Sequence, residues 1–437
     1  MSENDIKKKF ERNIAVFTKM TLNQEQRRAF EKVKQGDNLF LTGEAGTGKS
    51  TCLRTIIEWA RAERLNIGVT ATTGSAAILI RGSTLHSFLG IGLATKTAAE
   101  LVDQIKNKKK FVYNRIRSLE ILLIDEISMM DAELFDKISA VISLIKNKNA
   151  PFGGIQVILC GDLFQLPPVK GRLLFHSQAF KDLDIEIVQL MTPHRHLEDD
   201  ELLKMLRELR VGECSDETLA KLKATYTNTF PEGILPTMLY SRNVDVDKIN
   251  TTEFTKLIKE GKRSFSYDMK SSCAVGHAWA ESCKIPEICE VCEGAQVVLT
   301  SNVDLDMGLC NGARGVVVSV GLSGVTVQFA KVRALISYCK LENEDNKKIW
   351  ISYMPLRLAY ALTINKCQGM TLDCVVVVLE SAKPSSDRNL DFYYGRAYTA
   401  LTRVRSLKDI RIINVSKGAF VAHPEVIQFY NEQGLIL

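Results

Sequence analysis

Residues 38–50 read NLFLTGEAGTGKS, an apolar run that ends in Gly-x4-Gly-Lys-Ser. An apolar segment of this length, closed by glycine, has the pattern of a buried strand. A Gly-rich turn that follows such a strand and ends in Lys-Ser is a phosphate-binding loop opening a helix. The glycines let backbone N–H groups wrap phosphates, Lys49 reaches the terminal phosphates, and Ser50 offers its hydroxyl to Mg2+. Gly43, Glu44, Ala45, Gly46, Thr47, Gly48, Lys49, Ser50 and Thr51 are therefore the candidate binding residues for ATP.

Such a loop belongs to a parallel α/β sheet, and the chain alternates accordingly. Short apolar runs at LFLTG (39–43), IGVTAT (67–72), ILLIDE (121–126), QVILCGD (156–162) and IEIVQL (185–190) are separated by helical patterns, the signature of buried strands interleaved with helices. TMLYS (237–241), CVVVVLE (374–380) and DIRIINV (409–415) form a second set, giving two α/β halves. At 437 residues the chain exceeds one core of about 150 residues. Residues 293–353 differ, with short β-rich runs between Gly, Ser and Asn turns and no helical period, which suggests a small all-β insert in the second half. Residues 1–20 look like a loosely attached or helical lead-in. The expected domains are thus 21–192 and 193–437.

ILLIDE places Asp125 at the carboxyl end of a strand about 75 residues after the loop, where it can hold the metal's water shell while Glu126 deprotonates an attacking water. A strand followed by an acidic helix cap would look the same. GDLFQLPPV (161–169) is a third strand end, where Gln165 can touch the γ phosphate and Pro167-Pro168 form a rigid link to a neighbouring site. Alone it is also common loop punctuation.

Composition excludes little. Apolar content of 46%, charged content of 25% and a net charge of +6 fit a soluble globular chain and are compatible with an anionic partner without requiring one. The KNKKK run at 106–110 reads equally as a solvated face. The N-terminus has no signal-peptide core and no apolar run is long enough to span a bilayer, so the expectation is an intracellular protein without a membrane partner, whether in nucleus, mitochondrion, cytoplasm or a viral replication site. Cys273, His277, Cys283, Cys289 and Cys292 include one pair with zinc-ligand spacing, set against the plainer reading of free thiols.

Beyond these, LNQEQRRAF (22–30), VTATTGSAA (69–77), GSTLHSFLGIG (82–92), IDEISMMD (124–131), GDLFQLPPV, GLCNGARGVV (308–317), PLRLAYALTINKCQGMTLD (355–373) and GRAYTALTRVRS (395–406) follow one another in order. Together they resemble the successive motifs of the petite-integration-frequency (Pif-one) helicases of superfamily one. The resemblance implies two RecA-like P-loop NTPase lobes, with a small wedge insert at about 84–117 in the first and an SH3-like β insert at about 293–353 in the second. It implies an ATP-dependent helicase that uses MgATP to move 5′ to 3′ on single-stranded DNA, with DNA forks or structured DNA as partners. A monomer is the expected working unit, although nothing in the sequence shows the oligomeric state.

The same resemblance assigns residues. Gln26 would contact adenine, and Arg195 and Arg403 would reach the γ phosphate from the second half. Thr72, Thr73, Gly74, His86, Ser87, Phe88 and Pro167 would hold single-stranded DNA, as would Asn365, Lys366, Gln368 and Thr371. Without the family, helix capping for the hydroxyls and core packing for Phe88 are as good an account. At ALTINKCQGMTLD (361–373) this chain departs from the family pattern, with Asn365 for the customary His and Cys367 for the customary Ser. Two other classes remain open: a DNA-stimulated ATPase that clamps or remodels without unwinding, and a small-molecule kinase, which the second α/β half disfavours.

Overall fold

A computed structural model of the chain describes residues 22–436 except 93, 170, 196–198, 231–235, 284, 305–306, 308, 310, 330–331, 343–347 and 380–391. The lead-in expected at 1–20 lies outside the described residues. In the first lobe six strands pair in parallel: β1 (Asn38–Gly43), β2 (Ile67–Ala71), β3 (Ser83–Thr84), β4 (Ile121–Asp125), β5 (Gln156–Cys160) and β6 (Ile185–Leu190), in the spatial order β3-β2-β4-β5-β1-β6. Successive side chains of a strand point to opposite faces. Thus Leu39, Leu41, Leu123 and Ile158 enter one buried cluster, whereas Phe40, Leu122, Ile124 and Leu159 enter the other. Because β5 lies between β1 and β4, the phosphate loop, Asp125 and the Gly161-Asp162 turn emerge side by side at the carboxyl edge of one sheet.

The second lobe has a smaller parallel sheet in the order Ala361–Thr363, Thr237–Tyr240, Val375–Val378, Ile410–Ile413. Between its strands lies a β region with a separate core around Val297, Val317, Val325, Val327 and Ile336. Its five-stranded antiparallel sheet runs Arg333–Ile336, Gly324–Phe329, Arg314–Gly321, Gln296–Leu299, Leu356–Leu358. The β structure reaches beyond 293–353, since Ser264–Asp268 pairs with Ile288–Cys292 and Lys270–Ser271 with Trp350–Tyr353. Those early strands are short and interrupted by the helix Ala274–Ser282, which hides their period in the sequence. Residues 84–117 contribute the helices Leu85–Leu89, Ala98–Lys108 and most of Lys110–Ser118.

Contacts between the halves are extensive. The C-terminal helix Pro424–Glu432 crosses to the first lobe, where Phe429 stacks on Phe175 with centroids 4.6 Å apart and the Tyr430 and Thr42 hydroxyls lie 2.6 Å apart. Asp162, at the end of β5, pairs with Arg210 at 3.0 Å, both side chains being at most 1% exposed, and accepts from the Tyr398 hydroxyl at 3.1 Å. Among the described residues no helix is long and apolar enough to cross a membrane.

Candidate nucleotide cleft and nucleic-acid groove

β1 ends at Gly43, and the turn to the helix Lys49–Ala62 needs two glycines with positive φ, +87° at Gly46 and +84° at Gly48. A Cβ on Gly46 would sit 2.6 Å from Arg195 Cβ, and one on Gly48 would sit 2.5 Å from Gln26 Nε2, so a side chain at either point would close the cradle. Lys49 Nζ donates to the carbonyls of Gly43 and Glu44 at 2.8 and 2.9 Å. The side chains of Glu44 and Thr47 shape the loop. The Glu44 carboxylate accepts from Arg207 Nε at 2.9 Å, and the Thr47 hydroxyl donates to the Glu44 carbonyl at 2.9 Å.

Around this loop opens a cleft of about 640 Å3 lined by Ala45, Gly46, Gly48, Lys49, Ser50, Thr51, Asp125, Glu126, Gln165, Arg195, Thr371 and Arg403, with Arg405 beyond them. That volume suits a nucleotide-sized ligand. Burial, followed by the charge of Glu126, pushes the Asp125 carboxyl up to about 7. With the Ser50 hydroxyl on the same wall, the two carboxylates form an oxygen set that fits a hard divalent cation. Glu126 takes the left-handed conformation, φ 55° and ψ 46°. Its carbonyl accepts from the Thr72 hydroxyl at 2.7 Å, and its carboxylate accepts from Gln368 Nε2 at 3.0 Å. Gln165 is buried, and its Oε1 has no hydrogen-bond partner.

Arg195 follows β6 and is docked by its backbone N–H on the Gly46 carbonyl at 3.2 Å, while its Nη1 donates to the Thr402 carbonyl of the second lobe at 2.9 Å. Arg195 therefore bridges the lobes rather than reaching over from the second one. Burial and then the neighbouring Arg403 lower its pKa, as expected of two guanidinium groups crowded where an anion should lie. Arg403 is buried and donates to the Thr399 carbonyl at 2.9 Å.

A larger groove of about 1860 Å3 runs between the first lobe and the β region, and Thr72, Thr73, Gly74, His86, Ser87, Phe88, Pro167, Asn365 and Lys366 line it. Thr73 and Thr84 cap the helices Gly74–Leu79 and Leu85–Leu89. Phe88 is mostly buried against Gly68, with the Arg115 guanidinium 4.3 Å above its ring and hydrogen-bonded to its carbonyl. Burial lowers the pKa of His86. Asn365 Oδ1 accepts from Arg396 Nη1 at 3.1 Å, which turns the amide nitrogen into the group left to donate.

The sequence model of the family described as PIF1-like helicase matches residues 21–218, and that described as DNA helicase Pif1, 2B domain, matches residues 291–320 in the β region. The human ATP-dependent DNA helicase PIF1 is 35% identical over 427 residues, covering 94% of this chain. The chain spans only 64% of that relative's length. The crystal structure of Pif1 helicase from Candida albicans superposes with a TM-score of 0.76 at 30% identity, covering 95% of this chain and 100% of that one. This chain belongs to the PIF1-like helicase family. A Bacteroides Pif1 helicase solved with ADP-AlF3 and single-stranded DNA is 27% identical with a TM-score of 0.68, covering 95% of this chain and 98% of that one.

Within the PIF1-like framework three residues besides Arg195 do not lie where the sequence puts them. Gln26 is buried and its carboxamide is occupied, the oxygen accepting from the Asn23 N–H in a capping box and the nitrogen donating to the Gly48 carbonyl at 3.3 Å, and it is not among the cleft-lining residues. Gln368 is 0% exposed and bonded to Glu126 instead of facing the groove, and Thr371 lines the cleft. A hydrogen-bonded turn closed on the Thr363 carbonyl carries Gln368 off the groove wall, and the positive φ of Gly369, +80°, redirects the chain that follows it toward Thr371. Sequence reasoning missed Arg396, Arg115, Trp279 and Arg357 on the groove and Arg405 on the cleft. The KNKKK run was the available signal for Lys108, Lys109 and Lys110, which also line the groove. Among the described residues no group of three or more His, Cys, Asp or Glu is arranged to hold a metal ion. Cys289 Sγ instead donates to the Leu356 carbonyl at 3.2 Å.

Proposed function

We propose that this chain is an ATP-driven DNA helicase that moves along single-stranded DNA, 5′ to 3′, and opens duplex or structured DNA. One observation carries the reading: the Glu126 main chain is bonded to groove-lining Thr72, and its carboxylate to Gln368 of the second lobe. A helicase requires this kind of connection, in which the hydrolytic site is mechanically continuous with the strand-binding surface and spans the joint between lobes. The Bacteroides relative solved with both a nucleotide analogue and single-stranded DNA supports the pairing of ligands.

Ser50 and Asp125 would hold Mg2+, which when bound neutralises phosphate charge. Lys49 binds the terminal phosphates by leaving the loop carbonyls it now holds. Arg195 and Arg403 supply charge for the transferring phosphoryl, an effect that in related NTPases is worth about 10³-fold or more. Glu126 takes one proton from the attacking water. Phe88 is buried in the core with the Arg115 guanidinium over its ring, so it supports the groove wall from behind rather than presenting a face to a base. The helices of 84–117 and the β region flank the strand path and part the duplex.

Duplexes with a 5′ or a 3′ single-stranded tail, incubated with ATP and either the wild type or Glu126→Gln, test this. Unwinding of the 5′-tailed substrate by the wild type alone is expected. DNA-stimulated hydrolysis with neither duplex opened would leave a clamp or remodeller, and opening of only the 3′-tailed duplex would reverse the polarity.

A further inference from the structure

The loop 363–371 belongs to both sites at once. Asn365 and Lys366 line the groove, whereas two residues later Gln368 is 0% exposed and its Nε2 lies 3.0 Å from Glu126 Oε2 and 3.5 Å from Ser128 Oγ. Its Oε1 has no partner, so the hydrogen bonding of this carboxamide is directed at Glu126 and its neighbour. Gly369 leaves the other side of the carboxylate open: a Cβ there would lie 3.6 Å from the second carboxylate oxygen of Glu126. The second lobe thus reaches this carboxylate of the first through the Gln368 amide.

The loop is stiff. Lys366 and Cys367 N–H groups bond the Thr363 carbonyl at 2.9 and 3.1 Å, Met370 N–H bonds the Cys367 carbonyl at 3.0 Å, and Cys367 is itself 0% exposed with its thiol on the Ile364 carbonyl at 3.2 Å. A displacement of Asn365 or Lys366 at the groove therefore moves Gln368 as part of one hydrogen-bonded turn. Because interfaces of this kind are bistable rather than soft, a small shift is transmitted instead of absorbed.

We infer that Gln368 is the positioning residue through which groove occupancy controls hydrolysis: its amide holds the Glu126 carboxylate in the orientation that receives the proton of the attacking water. This rests on the helicase reading for the identity of the groove ligand. It does not require Gln368 to touch DNA, and it places Gln368, with Gly369 and Thr371, on the cleft side of the loop.

The test uses the full chain with Gln368→Met, which keeps the volume and removes the donor, and Gln368→Glu, which keeps the shape and sets a like charge beside Glu126. Steady-state hydrolysis of MgATP is measured with and without an oligothymidylate single strand, alongside the affinity for that strand and the melting temperature. Loss of an oriented proton acceptor predicts a fall in kcat of about 10-fold or more, within the range that such groups contribute. The ATP KM and the oligothymidylate Kd should stay within about twofold, since neither ligand loses a contact. In a Glu126→Gln background, Gln368→Met should cost nothing further, because the two residues act as one unit.

A weakened oligothymidylate affinity with kcat retained would make Gln368 a DNA contact and overturn the inference. So would additive losses in the double variant, or a rise in DNA-free turnover, which would mark a brake. If the wild type shows no stimulation by the single strand, the helicase reading fails, yet the double-variant comparison still decides the role of Gln368 on DNA-free turnover.

Discussion

The Thr72 hydroxyl donates to the Glu126 carbonyl at 2.7 Å while the Thr72 N–H donates to the Asp125 carbonyl at 3.1 Å. The β2–β4 ladder, which pairs Ala71 with Asp125, is thereby extended by one residue past the end of the strands. Those bonds hold Glu126 in a left-handed conformation that costs a non-glycine residue on the order of 1–2 kcal/mol.

Replacing Thr72 by Val keeps its shape and leaves a carbonyl without its donor, at a cost of about 1–3 kcal/mol. The expected result is a fall in DNA-stimulated ATPase of at least about tenfold, largely restored by Thr72→Ser. If instead the hydroxyl serves a DNA phosphate, Thr72→Val will weaken oligothymidylate binding and spare DNA-free turnover, an outcome that fluorescence anisotropy and steady-state kinetics separate.

Asn365→Asp tests the groove end of the same loop. The new carboxylate would pair with Arg396, now hydrogen-bonded to Asn365 Oδ1 at 3.1 Å, and the amide donor would be lost. Neutralising one cation and adding one negative charge should lower single-strand affinity by about tenfold at low salt and flatten its salt dependence by roughly one phosphate contact. Asn365→His, the residue common in the family, should bind within about threefold of wild type. Equal affinity for Asn365→Asp and wild type at every salt concentration would remove this residue from the DNA path.

The parallel lobes were legible because strand runs such as ILLIDE and VVVVL are buried on both faces and carry no competing helical period. The cleft was legible through short motifs whose chemistry depends on neighbours in sequence. What stayed hidden depends on neighbours in space. Nothing in the text CQG says that a hydrogen-bonded turn carries Gln368 away from Lys366 and onto a carboxylate 242 residues earlier. Gln26 likewise has one local use, a capping box with Asn23, that competes with the nucleotide role its motif implies. Arg210 lies in the last turn of the helix Asp200–Arg210, yet it is one of the largest fully buried side chains among the described residues, because Asp162 emerges from another element to meet it.

That buried pair predicts a stability effect. Arg210→Met would leave Asp162 desolvated and without its cation, which in buried pairs costs about 3–5 kcal/mol. The Phe164 and Tyr430 rings, 4.1 and 5.2 Å from the guanidinium, would also lose their cationic partner. Chemical denaturation should show the loss. A change under about 1 kcal/mol would mean that the apolar replacement repacks and the carboxylate finds water.

Thiol reactivity gives a prediction independent of function. Cys273 is exposed at the start of the helix Ala274–Ser282, and hydrogen bonds from the Gly276 N–H and then Ser272 lower its pKa below the ordinary thiol value. Burial acts the other way elsewhere, pushing Cys52 and Cys289 up to about 12 and Cys367 up to about 11. It also raises half-exposed Cys214. The thiolate is the reactive form, so a depressed pKa means more of it at a given pH and an alkylation profile displaced to lower pH. In limited iodoacetamide labelling near neutral pH, followed by peptide mass mapping, Cys273 should be modified before Cys214, and Cys52, Cys289 and Cys367 should react only on unfolding. Faster labelling of Cys214 than of Cys273 across the pH range would contradict the stabilised thiolate at this helix start.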